Sequence, residues 1–192
     1  MKKISLFVLI VLFSFAQLSA QEPSFLKGDK VLNVGLGLGS TFYTGLYYKT
    51  QIPPLSASLD YGIVDFNEGV LAKAVIGVGP YVGFASYKWE YTYLGSNWGY
   101  RYTNIILGAR GTFHYPFLDK LDTYTGLLLG FKIVSAKEFG TYIAGYDYSA
   151  SSSGIAYSWF IGARYYFTES FAAMLELGYG ISYLNIGIAL KF

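Results

Sequence analysis

Beyond residue 20 the chain is strongly apolar yet never apolar for long. The whole sequence is 53% hydrophobic and 20% aromatic, with only 14% charged residues, where a soluble domain carries roughly 25%. Glycines and polar residues still interrupt every apolar run past residue 20, so none approaches the roughly 20 residues of a spanning helix. Hydrophobicity that is abundant but not contiguous must be carried in alternation, one side of a strand at a time. In lipid, only helices and closed barrels satisfy every backbone polar group. The pattern predicts an all-β fold, an eight-stranded antiparallel transmembrane β-barrel.

Eight segments alternate with period two, near residues 30–39, 55–64, 70–87, 101–115, 123–134, 156–167, 171–182 and 183–192. In the first, Leu32, Val34, Leu36 and Leu38 share one face, with Asn33, Gly35, Gly37 and Gly39 on the other. Leu127, Leu129, Phe131 and Ile133 repeat the pattern, as do Leu175, Leu177, Tyr179 and Ile181. Strands near 10 residues suit a tilted bilayer crossing. Short connections at 64–69, 116–122 and 168–170 alternate with longer ones at 40–54, 88–100 and 135–155, the last containing the serine-rich stretch Ser149–Gly154. Short periplasmic turns and long extracellular loops are the asymmetry of outer-membrane barrels, and an even strand count puts both termini in the periplasm.

Charge placement sharpens the expectation. Asp60, Lys73, Arg110, Lys132, Arg164, Glu176 and Lys191 all fall on the phase opposite the apolar face, whereas a soluble barrel would carry its charges outside. A charge at the lipid midplane costs about 2–4 kcal/mol, while a lumen charge can find partners. Asp60, Arg110, Arg164 and Glu176 lie at similar depth from the predicted periplasmic turns. They are expected to form a cross-lumen ionic cluster, with Lys73, Lys132 and Lys191 more solvated above or below it; if the cluster plugs the barrel, conductance is expected to be poor. Five basic and two acidic residues would leave the lumen at +3, so any leak would favour anions. Lys30 and Lys88 fall on the lipid phase at expected strand ends, where they can reach the interface.

The start of the chain reads as an export signal: a cationic Met1-Lys2-Lys3, an apolar run from Ile4 to Ala16, and Leu18-Ser19-Ala20 before the expected cut. Cleavage leaves residues 21–192 as one barrel domain. Without Lys2 and Lys3 the basic and acidic residues balance, so nothing points to nucleic acid. The absence of cysteine excludes disulfides, thiolate metal sites and thiol catalysis. With a single histidine, a transition-metal site is not expected, nor is any cofactor. That histidine, His114, sits on the inward phase near the expected periplasmic turn, the wrong end for an outer-membrane hydrolase, and is read as structural rather than as a general base. Asp65 and Glu68 read as a solvated turn.

The chain ends on LNIGIALKF, in which Leu184, Ile186, Ile188, Leu190 and Phe192 share one face. Termini fray unless tied down, so an alternating last strand implies an end built into the sheet. Those five residues resemble the C-terminal signature of bacterial outer-membrane proteins, which implies recognition by the barrel assembly machinery. Gly162-Ala163-Arg164-Tyr165-Tyr166-Phe167 through Glu176-Leu177-Gly178-Tyr179-Gly180 is similar to the closing strands of small outer-membrane β-barrel domain proteins, of OmpX and OmpA-barrel architecture. Asp122-Thr123-Tyr124-Thr125-Gly126-Leu127-Leu128-Leu129-Gly130 resembles a strand opening in the same proteins. These are signatures of fold and bring no activity with them.

Twenty tyrosines raise the question of recognition. Tyr87, Trp89, Tyr91 and Tyr93 would face Tyr100 and Tyr102 across the second long connection, with Trp98 between them. Those at strand ends read as an interfacial aromatic girdle, and Trp98 as a candidate recognition residue at a loop tip. Phe113, Tyr115, Phe117, Tyr165, Phe167, Phe171 and Phe192 would make the periplasmic girdle. The expected protein is a non-enzymatic, monomeric scaffold in the outer membrane of a Gram-negative bacterium. Its partners are outer-membrane lipid, the assembly machinery and an unknown surface ligand. A narrow channel for ions or small solutes is the alternative, ahead of a lipid-modifying enzyme or a secretion helper.

Overall fold

Alternating residues become strands because each pleat sends successive side chains to opposite faces, and here both faces find an environment. A computed structural model describes residues 24–40, 42–43, 47–93, 96–140 and 152–192. The predicted signal segment 1–20 and Ser149–Ser151 lie outside the described residues. Eight strands run in chain order: β1 (Lys30–Leu38), β2 (Tyr48–Asp65), β3 (Val75–Tyr93), β4 (Ser96–Leu118), β5 (Leu121–Gly140), β6 (Gly154–Tyr166), β7 (Phe171–Tyr179) and β8 (Leu184–Lys191). Each pairs antiparallel with the next, and β1 pairs with β8 from Val31–Lys191 to Leu38–Leu184, closing the ring. A hydrogen bond from the Phe192 amide to the Lys30 carbonyl (2.9 Å) ties down the chain end.

Burial is inverted relative to a soluble barrel. Leu127 and Leu129 are 66% and 67% exposed on the outside of β5, while Leu128 between them is 3% exposed inside. The outward column of β8, Ile186, Ile188, Leu190 and Phe192, is exposed in the same way. Asp60, Arg110, Arg164 and Glu176 are buried within the ring.

Strand extents differ from the sequence expectation. Residues 88–93 and 96–100 continue β3 and β4, and residues 135–140 continue β5, where long connections were expected. The cause is visible in YKWEYTY: aromatic residues alternate with Lys88 and Glu90, so aromatic side chains face one another across strands and keep the ladder going. Lys88 therefore lies within β3 rather than at its end. At the opposite end, Gly69–Leu71 form a 3-10 turn and β3 begins only at Val75. Lys73 sits in that turn with a φ of 76° and is exposed, not in the lumen. The last hairpin turns at residues 180–183, with Gly180 at a φ of 119°.

The result is a barrel of unequal height. β2 to β5 have 18, 19, 23 and 20 residues, whereas β7, β8 and β1 have 9, 8 and 9. The long strands stand above the short ones as a wall at the end away from the termini, called the far end below.

Candidate functional site

The middle of the lumen holds a continuous ionic network. Arg110 on β4 reaches Asp60 on β2 (Nε to Oδ1, 3.3 Å) and Glu176 on β7 (2.7 Å). Gly79 of β3 lies opposite Arg110 and contributes no side chain between Arg110 and Asp60. Arg164 on β6 pairs with the other oxygen of Asp60 and, at 3.1 Å, with Asp122 on β5. Asp122 also lies 2.8 Å from His114 Nδ1, and His114 Nε2 lies 2.8 Å from the Thr112 hydroxyl. Asn33 donates to Asp60 (3.2 Å), and Tyr124 and Asn185 donate to Glu176 (2.8 and 3.3 Å).

Two aromatic faces complete the packing: Arg110 lies 4.2 Å from the Phe160 ring centroid and Arg164 4.5 Å from that of Tyr124. Beside the Arg110–Glu176 pair, a cavity bordered by Tyr81, Leu128, Phe160 and Ile181 measures only about 30 Å³, roughly one water's share of the liquid. The structure thus brings all four candidate cluster residues into one network, and Asp122 and His114 belong to it as well. The sequence expectation puts Asp122 in the 116–122 connection; in the structure it lies in β5 with Arg164 as its direct register partner. The signal for it was its even-numbered phase, shared with Tyr124, Gly126 and Leu128.

The lumen charge differs from the sequence expectation. The network contains two arginines and three carboxylates, one negative charge in excess when His114 is neutral. Lys132 lies farther out, 4.6 Å from the Phe42 ring centroid, and Lys191 pairs with Asp29 at 3.5 Å near the termini. With Lys73 in a turn and Asp122 inside, the expected +3 lumen is corrected to +1, and its anion preference no longer follows.

The terminal end is closed by residues 24–29. Phe25, 2% exposed, stacks on His114 with ring centroids 4.1 Å apart, and packs with Val31, Val75, Tyr166, Ala172 and Ala189. The turn is held by the Leu26 amide donating to Asp29 (2.9 Å) and by Lys191 donating to the Ser24 carbonyl (3.2 Å). Gly62 permits this: a Cβ there would collide with the Leu26 carbonyl. Aspartate, histidine and a hydroxyl are in line, but His114 is 1% exposed beneath Phe25, so no substrate carbonyl can reach it. Among the described residues, no group of three or more His, Asp or Glu is placed to hold a metal ion.

At the far end, register places Tyr87 beside Tyr102, Trp89 beside Tyr100 and Tyr91 beside Trp98. Tyr87, Tyr100 and Tyr102 are buried and pack with Tyr43 and Tyr48 on the inner face of the wall. The expected outer girdle at these residues is therefore corrected. They continue the lumen phase of β3 and β4 beyond the ring, where they find each other. Trp98 stands on this inner face, edge-on to Trp89 at 5.6 Å, and its indole donates to Glu138 (2.6 Å). On the outer face, a hydrogen bond from Lys88 holds the Glu90 carboxyl below its ordinary pKa. Phe117, Tyr165, Phe167, Phe171 and Phe192 are exposed around the terminal end, while Phe113 and Tyr115 are half-buried.

No protein-family pattern matches the chain, and no curated protein matches it. Among solved structures, the N-terminal β-barrel domain of Pseudomonas aeruginosa OprF is similar at 14% identity and a TM-score of 0.46, covering 86% of this chain and 98% of that one. Ail, the attachment invasion locus protein of Yersinia pestis, is similar at 10% identity and a TM-score of 0.41, covering 86% and 96%. Likenesses this distant carry no ligand or activity across; the architecture rests on this chain's own strand pairing.

Proposed function

We propose that the protein is a non-enzymatic scaffold in the outer membrane of a Gram-negative bacterium, sealed across its lumen and presenting the tall β2–β5 wall to an extracellular ligand. Inside-out polarity carries the reading: charged residues lie buried in the ring while Leu127, Leu129, Leu175, Leu177 and Ile188 lie exposed around it. In water such a surface would aggregate; in hydrocarbon it is solvated. Export through the segment ending at Ala20, periplasmic termini and a monomeric state complete the proposal. The short turns, the segment entering β1 at residues 24–29 and Phe192 share one end, which supports that orientation.

A sealed lumen would separate scaffold from channel. An eight-stranded barrel is just wide enough to be filled by side chains, and here the Arg110 and Arg164 network crosses the lumen between β2, β4, β5, β6 and β7, which supports the scaffold. Single-channel recording in planar bilayers tests this. Wild-type protein is expected to stay closed, and Arg110→Ala combined with Arg164→Ala to introduce conductance while lowering stability. Steady wild-type conductance, unchanged by the two substitutions, would promote the channel and sink the scaffold.

A further inference from the structure

Four cations stand in register across four adjacent strands on the outer face of the wall: Lys49 opposite Lys88, Lys88 opposite Arg101, and Arg101 opposite Lys137. Adjacent strands lie about 4.8 Å apart, so the row spans roughly 15 Å. Like charges directly opposite one another disfavour strand pairing, yet the ladder runs on beyond them to Tyr93 and Ser96. Within the row, Glu90 answers Lys88 (2.8 Å) and Lys49 (3.6 Å). Arg101 and Lys137 are exposed and have no ion pair among the described residues. Glu138, the nearest acidic neighbour on β5, faces the other way and accepts from Trp98.

What lies beneath the row identifies the ligand. One outward step toward the ring, half-buried Thr103 and exposed Ser135 are in register, with Ser86 beside them buried; one step further come Phe84, Ile105 and Ile133, then Val82, Leu107 and Phe131. The outward columns of β4 and β5 therefore read cation, hydroxyl, apolar, apolar, at about 6.7 Å per step. A soluble anion would use only the first level. A molecule with anionic groups above, polar linkages in the middle and hydrocarbon below uses all of them. Phe139, whose ring centroid is 4.3 Å from Lys88 Nζ, bounds the row on its far side.

We propose that Lys49, Lys88, Arg101 and Lys137 form a binding site for the phosphate groups of a phosphorylated lipid in the outer leaflet, its acyl chains lying along Phe84, Ile105 and Ile133. This rests on the membrane reading above, and the test keeps the two apart. The first measurement is folding and insertion into phosphatidylcholine vesicles, followed by heat-modifiable gel migration. The second is retention of diphosphorylated lipid A against its dephosphorylated form by protein in phosphatidylcholine nanodiscs, with inorganic pyrophosphate as a soluble competitor. Wild-type protein should prefer the diphosphorylated lipid, and pyrophosphate should compete weakly. Arg101→Gln with Lys137→Gln, which breaks no ion pair, should cut that affinity about thirtyfold. Lys30→Gln, which removes one cation at the terminal end, should leave it intact, where a non-specific charge effect would cost about half as many kcal/mol as the double variant. Insertion with no preference for phosphorylated lipid overturns the site alone, as does wild-type affinity in the double variant or such a loss in Lys30→Gln. Pyrophosphate competing as well as the lipid overturns the lipid in favour of a free anion. Failure to insert overturns the membrane reading and the site with it.

Discussion

Arg164 shows how a side chain that is costly to bury becomes an anchor. It is fully buried and bridges Asp60 and Asp122 from strands on either side of the lumen. A buried pair is weak evidence of net stabilisation, but removing one partner strands the other charge at a cost of about 3–5 kcal/mol. Arg164→Ala leaves two carboxylates without their shared cation and is expected to lose that much in urea unfolding from lipid vesicles. Arg164→Gln combined with Asp60→Asn should cost less than the two single changes together, because residues in one network are not additive. A loss in Arg164→Ala no larger than in Lys30→Ala would mean the network is solvated rather than sealed.

Strands here answer to two solvents at once. On β5 the outward residues Leu127, Leu129, Phe131 and Ile133 form a continuous exposed column, while Tyr124 and Leu128 pack inside with Phe160 and Ile181. Depth along such a column sets the cost of a charge: about 2–4 kcal/mol for Arg at the midplane, falling to about 0–1 near the interface. Leu129→Arg should therefore destabilise the vesicle-folded protein by several times as much as Phe117→Arg, which lies at the exposed aromatic end. Equal costs at the two positions would place the hydrocarbon belt elsewhere.

For the molecule as a whole, closure depends on the first and last strands finding each other. Phe192 itself adds little to that closure, being 71% exposed and joined to Lys30 by one backbone hydrogen bond. Deleting Phe192 should therefore leave the stability of refolded protein within about 1 kcal/mol, while outer-membrane levels in cells fall and protease-sensitive protein collects in the periplasm. Normal levels with normal heat-modifiable migration would show that the residue is no assembly signal. An equal loss of stability in vitro would make its role structural instead.

Alternation alone determined which face of each strand meets which environment, since the strand period of two forces the assignment. The placement of Asp60, Arg110, Arg164 and Glu176 inside, and of Leu184 through Phe192 in a closing strand, was legible for that reason. Three things were not. The pairing of Arg164 with Asp122, and of Asp122 with His114, depends on where turns end and how strands are staggered, which shifts every cross-lumen neighbour. Phe25 enters the lumen because Gly62 leaves room for the Leu26 carbonyl, a contact between segments far apart in the chain. The aromatic wall was hidden because Tyr, Trp and Lys in alternation look the same in a girdle as in a strand that continues past the membrane. Only the register of β3 with β4 and β5 decides between them, and it places Tyr100 and Tyr102 inside and Lys88, Arg101 and Lys137 in one row outside.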